Sequence, residues 1–216
     1  MNCPIYTSKQ AATFFIMIGI PGVGKTSFSK SMFEESPWGT LKAELVSRDE
    51  IRCNLIWEAR KSQDISNQLL NLDKEVDRLE IAAVEKHLEK RQEKIVILDG
   101  CHTQFFHLLN IVDTIKKLSP DSLVNLFFIG DENSKCYHKL SEHKEGDYSD
   151  YNLQSEGSSQ HDTIPKEVLT RKRKELKELI TYFTKALRFK ADAVYFLSQS
   201  TIEFIEEGQN IRLTSN

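Results

Sequence analysis

The sequence predicts a three-layer α/β domain, a five-stranded parallel sheet with helices on both faces. Three observations point there. Five apolar runs of strand length alternate with segments of helical period. The runs are unbroken rather than alternating, as suits strands buried on both faces. A glycine-rich segment closes the first run and opens the first helix. With 216 residues and 24.9 kDa, residues 1–216 read as one domain of ordinary size. Hydrophobic residues at 39% and charged residues at 28% supply both a core and a wetted surface. That excludes a disordered chain, a collagen and a low-complexity scaffold.

The elements follow in order. Thr13 to Ile18 is the first strand, and the helix after it contains Phe28 and Met32. Leu41 to Val46 is a weaker second strand, and Asp49 begins the next helix. Leu69, Leu72, Val76, Leu79 and Ala83 step by three and four and form one apolar stripe. Lys94 to Leu98 is the third strand. Phe105, Leu108, Val112 and Ile115 form a second stripe, and Leu123 to Ile129 is the fourth strand. Leu169, Leu176, Ile180, Phe183 and Leu187 form the last long helix before a fifth strand, Ala191 to Leu197. Right-handed crossovers join them. Asp131 to Thr163 does not fit: it is rich in Ser, Asp, Glu, Lys and Tyr, and reads as a lid insertion, 131–163, that orders on nucleotide.

The strongest chemical signal is Gly19-Ile20-Pro21-Gly22-Val23-Gly24-Lys25-Thr26, a complete GxxxxGK[ST] pattern between a strand and a helix. Glycines let the backbone N–H groups wrap a phosphate, and the helix start adds free donors and a positive dipole end. Lys25 reaches the β- and γ-phosphates, Thr26 offers a hydroxyl to Mg²⁺, and Ser27 is included among the nucleotide-contacting positions. ATP and Mg²⁺ are the expected cofactors. The metal needs a second acid, and Asp99 ends the third strand at the carboxyl edge beside the cradle.

The second strand runs into Ser47-Arg48-Asp49-Glu50-Ile51-Arg52 at the same edge. A kinase acting on a hydroxyl gains from a carboxylate that takes its proton and a cation that holds the acceptor. Asp49 and Arg52, three residues apart on one helix face, are those candidates. An N-capping Asp with a solvated Arg is the plainer alternative.

In GIPGVGKT at 19–26, SRDEIR at 47–52, ILDG at 97–100 and the Ile164-Pro165 start of the last long helix, the chain resembles a known family. It is similar to the phage-type polynucleotide 5′-hydroxyl kinases and their relatives, the zeta-type toxin kinases and small-molecule P-loop kinases. The matches are short patches, in similar order and spacing, across most of a kinase domain. The resemblance implies a P-loop kinase fold with a helical or loop lid, and transfer of the ATP γ-phosphate to a 5′-hydroxyl. It implies Asp49 as general base and Arg52 as ligand of the acceptor-side phosphate. The chain departs from the family in three respects. Residues 131–164 hold no arginine, only Lys135, Lys139 and Lys144 as full cations; Gly100-Cys101-His102 follows the metal acid; and no DxD motif for a companion phosphatase is present.

Charge and motif counts bound the partners. The formal net charge is −3, so nucleic-acid binding needs a local basic patch. Arg171-Lys172-Arg173-Lys174 is the densest, with nine Lys/Arg against three Asp/Glu over 166–190. It reads either as a source of the missing lid cations or as a solvated face. Cys136, His138, His143 and His161 lack the spacing of a recognised zinc site. Four cysteines without a CxxC pair indicate a reduced, cytoplasmic chain, with export as a toxin or effector left open. The longest apolar run, Phe14 to Ile20, is short of the about 20 residues a membrane span needs. Three activities therefore compete: a polynucleotide 5′-hydroxyl kinase, a P-loop kinase of a nucleoside, sugar or antibiotic, and a nucleotide-binding switch. The absence of an NKxD motif disfavours a GTPase switch.

Overall fold

The computed structural model describes residues 11–34, 43–61, 71–89, 94–137, 139–141, 163–185 and 191–198. In chain order its elements are β1 (Thr13–Ile18), α1 (Lys25–Glu34), β2 (Ala43–Ser47), α2 (Arg48–Lys61), α3 (Leu72–Glu89) and β3 (Ile95–Asp99). There follow α4 (Phe105–Leu118), β4 (Leu123–Ile129), β5 (Lys139–Ser141), β6 (Thr163–Pro165), α5 (Lys166–Lys185) and β7 (Ala193–Leu197).

Five strands form one sheet in the order β2-β3-β1-β4-β7, with every pairing parallel. The most apolar strand, β1, takes the centre and is buried along its whole length. The edge strands β2 and β7 are only partly buried, which matches the weaker apolar run that encodes β2. The chain moves one way along the sheet from β1 to β2 and the other way from β3 to β4 and β7. With right-handed crossovers, that reversal puts α1 on one face and α3 and α4 on the other. Adjacent residues of β4 show both faces covered. Phe127 meets Phe28 of α1 at 5.8 Å between ring centroids, while Phe128 meets Phe183 of α5 at 5.3 Å. A smaller apolar cluster of Ile56, Leu72 and Val76 joins α2 to α3. Each such fully buried side chain contributes about 1.5–3 kcal/mol.

Three expectations shift. The last strand begins at Ala193, because Asp192 turns its side chain to the sheet: its Oδ2 accepts the Val124 N–H and the Lys116 ammonium, both at 2.7 Å. The buried column of α3 is Leu72, Val76, Glu80, Val84 and Leu88. Leu79 and Ala83, assigned to the stripe by their apolarity, are only half-buried. The polar insertion contains a strand, β5, that pairs in parallel with β6. The rest of the expected lid, residue 138 and residues 142–162, lies outside the described residues, as do His138, His143 and His161. Among the described residues no helix is long and apolar enough to cross a membrane.

Candidate active site

The glycine-rich segment is the turn between β1 and α1, and its geometry explains its composition. Gly22 and Gly24 have φ of 70° and 95°, a region that side chains with a Cβ avoid. A Cβ at Gly19 would stand 2.6 Å from the Ile129 carbonyl oxygen, so the loop can lie against β4 only with glycine there. The neighbouring loops hold it. The Gly19 N–H donates to the Cys101 carbonyl at 3.0 Å, and the Tyr137 N–H to the Gly22 carbonyl at 3.1 Å. The Lys25 side chain folds back, its ammonium donating to the Ile20 carbonyl at 2.7 Å. Ile20 and Val23 are buried, Pro21, Gly22 and Gly24 partly so, and Thr26 and Ser27 are exposed at the start of α1. The result is a tight loop with its own cation, Lys25, folded onto it.

Thr26 and Asp99 meet across 73 residues of sequence. The Thr26 hydroxyl donates to Asp99 Oδ2 at 2.7 Å. Asp99 ends β3, which neighbours β1, so the sheet itself brings the carboxylate to the first turn of α1. Burial raises the Asp99 carboxyl above its ordinary value, against the Thr26 hydrogen bond and the Lys25 charge, which lower it. A hydroxyl and a carboxylate side by side are hard oxygen donors. They fit Mg²⁺, which takes one or two protein oxygens and keeps several waters.

Asp49 and Arg52 also come together. Ser47 pairs in register with Asp99, and α2 starts at the next residue. Arg52 donates to Asp49 Oδ1 at 2.8 Å and to Asp73 of α3 at 3.2 Å. The Asp49 side chain is 66% exposed and its charge is felt at Asp99. The two acids thus share the carboxyl edge of the sheet, one buried against the cradle and one open to water.

The residues that sequence reasoning missed lie between them. Arg48 does not face the cleft. Its aliphatic stem crosses Gly100, where a Cβ would collide with Arg48 Cδ, and its guanidinium donates to Glu80 and, at 2.5 Å, to Asp77. Glu80 is fully buried and also holds His102 and His107 at 2.7 Å each. His102 has φ of 41°, and its Nδ1 meets the Met17 carbonyl at 2.6 Å. It is a buried turn residue locked between two oxygens. Burial alone would raise the Glu80 carboxyl, but His102, His107 and Arg48 hold it well below its ordinary value. Burial would likewise lower Arg48, and Glu80 and Asp77 more than offset it. Glu80, His102 and His107 offer three ligand atoms within 4.8 Å of one another. Arg48 already supplies the positive charge there, so the group is an ion network and not a metal centre. The signal for Glu80 was present in the sequence: it stands four residues from both Val76 and Val84, in the middle of a buried column.

A family model described as an AAA domain matches residues 14–104, from β1 through the cradle, β2, α2, α3 and β3 to the turn before α4. No curated protein matches the sequence. Solved structures of similar shape include one from the PezAT chromosomal toxin–antitoxin system of Streptococcus pneumoniae. It is 16% identical over 59% of this chain and 50% of that one, with a TM-score of 0.44. The chain thus spans half the length of that protein. A candidate kinase of Chloroflexus aurantiacus is 9% identical over 93% and 97% of the two chains, at a TM-score of 0.46. Deoxyadenosine kinase of M. mycoides, solved with bound dATP, is 12% identical over 90% and 97%, at 0.43.

Proposed function

We propose that this chain is an ATP-dependent kinase that transfers the γ-phosphate to a hydroxyl, and that the hydroxyl is the 5′-OH of a polynucleotide. The observation that carries the reading is the pair of acids at one sheet edge, Asp99 bonded to Thr26 at 2.7 Å and Asp49 bonded to Arg52 at 2.8 Å. A nucleotide-binding switch needs the first pair and has no use for the second. In this reading the backbone of 19–27 and Lys25 hold the phosphates. Thr26 and Asp99, directly or through water, hold Mg²⁺, which neutralises phosphate charge. Asp49 accepts the acceptor's proton and Arg52 steadies the acceptor-side phosphate. The polynucleotide acceptor rests on the resemblance in 19–26, 47–52, 97–100 and 164–165.

One observation favours a second reading, a small uncharged acceptor such as a nucleoside or sugar. Arg52 already faces two carboxylates, Asp49 and Asp73, which blunts it as a phosphate ligand. Incubation with γ-labelled ATP and Mg²⁺ separates the readings. Label on 5′-hydroxyl oligonucleotides supports the first, label on nucleosides or sugars alone supports the second, and ATP binding with no labelled acceptor supports a switch.

A further inference from the structure

Helix α5 carries its basic run in the half that crosses the carboxyl edge of the sheet, and it touches both loops that brace the cradle. On one side Glu175 accepts the Thr103 hydroxyl at 2.6 Å. Thr103 is two residues beyond Cys101, whose carbonyl receives the Gly19 N–H. On the other side Arg173 Nη2 donates to the Ser134 carbonyl at 3.1 Å. Ser134 belongs to the turn after β4: its Oγ accepts the Asp131 N–H at 2.8 Å, and its side chain packs with Val23 over Gly130.

The cations of this half-helix are not equivalent. Lys172 pairs with Glu175 at 2.9 Å and Arg171 lies 3.6 Å from the same carboxylate. Lys177, one turn on, faces Glu132 at 3.7 Å. Arg173 lies between these pairs with no carboxylate among the described residues. Its partner there is a neutral carbonyl, and its Nε is buried without a hydrogen bond. Arg173 is half-buried, so its guanidinium keeps part of its water, but among the described residues no anion faces it, and a partly desolvated cation gains from one. The built anion site nearby is the cradle: its Val23 lies against Gly130 beside Ser134, and its Gly22 carbonyl receives the Tyr137 N–H three residues beyond Ser134.

We propose that Arg173 is a phosphate-binding residue, closing on the nucleotide's phosphate chain from the side opposite the α1 N-terminus. The proposal rests on the reading of residues 19–27 as an ATP site. Its planar fork can bond the Ser134 carbonyl with one nitrogen and phosphate oxygens with the others, which a lysine's point charge cannot do. The bond to Ser134 orients the fork before nucleotide arrives.

The test uses the full chain, with Arg173→Met, which keeps length without charge, and Arg173→Lys, which keeps charge without the fork. Thermal midpoints are read without nucleotide and with Mg·ATP, and ATP affinity is measured by calorimetry well below the midpoint. The expected result has four parts. The wild type gains stability with Mg·ATP. R173M without nucleotide melts close to the wild type, because what it loses there is one part-buried bond to the Ser134 carbonyl. Its ATP affinity falls at least about tenfold, the worth of a charge-assisted bond. R173K falls between the two. R173M binding ATP as the wild type does would overturn the proposal and leave the ATP site standing. A lower unliganded midpoint with ATP affinity intact would show that Arg173 only braces the 131–134 turn, and would overturn it equally. A wild type that binds no ATP would remove the ATP reading itself, and the proposal with it.

Discussion

Lys25 is 7% exposed, yet its ammonium is bonded to the loop it belongs to and not to a distant element. Lys25→Ala should therefore abolish phosphoryl transfer while the circular-dichroism spectrum stays that of the wild type. Full turnover in this variant would make the cradle irrelevant to the reaction. Asp49 and Asp99 differ in what they touch, and their amide variants should differ accordingly. Asp49→Asn should cut transfer to the acceptor by roughly 10²–10⁴-fold, the usual worth of a positioned base, with ATP affinity unchanged. Asp99→Asn loses the carboxylate that meets Thr26, so Mg²⁺-dependent ATP binding and turnover should fall together. Measuring both quantities for both variants tests the division of labour. Normal transfer in Asp49→Asn would sink the general-base role.

The connecting turns are where the elements become a site. Gly130 follows β4 with φ of 70°, and a Cβ there would lie 2.4 Å from Ser134 Oγ and 2.9 Å from Val23 Cγ2. The left-handed backbone alone costs a residue with a Cβ about 1–2 kcal/mol, and the two contacts add to that. Gly130→Ala should lower the unfolding free energy by at least that amount, read as a lower denaturant midpoint with an unchanged slope. Because Val23 belongs to the cradle, ATP affinity should fall as well. A variant as stable as the wild type would mean that the 131–134 turn yields easily and does not brace the cradle.

Across the whole molecule, the Arg48–Glu80–His102–His107 network ties together α2, α3, the turn after β3 and α4. Its pH dependence has a definite sign. The Glu80 carboxyl is held well below its ordinary 4.5. Its contribution to stability is therefore complete above the unfolded-state value and is lost as pH falls through the depressed folded one. Urea midpoints should be level in this respect above about pH 5 and fall steeply below about pH 4. Glu80→Gln should lower stability at pH 7 by about 3–5 kcal/mol, the usual result of leaving a buried charge without its partner. It should also flatten the acid slope. A variant with the wild-type acid slope would show that other carboxylates carry it.

Local pattern decided much of this molecule. β1 and β4 have the bounds that their apolar runs predict, and α4 and, from Leu169 to Phe183, α5 follow their apolar spacing, because periodicity and turn chemistry act within a few residues. Leu187 lies outside the described residues. The cradle was legible for the same reason, since its glycines, lysine and threonine are adjacent in the chain. Periodicity misjudged α3, where Glu80 occupies a buried position that an apolar count gives to Leu79. Residue type cannot reveal that a carboxylate will be matched by Arg48 from α2, His102 from the turn after β3 and His107 from α4. The meeting of Thr26 with Asp99 was expected from the strand-end position of the acid, whereas the strand order β2-β3-β1-β4-β7 and the position of Arg173 against the 131–134 turn were settled by the tertiary structure alone. Each depends on which strands become neighbours after long crossovers. That choice is made by packing between whole faces, which no short stretch of sequence contains.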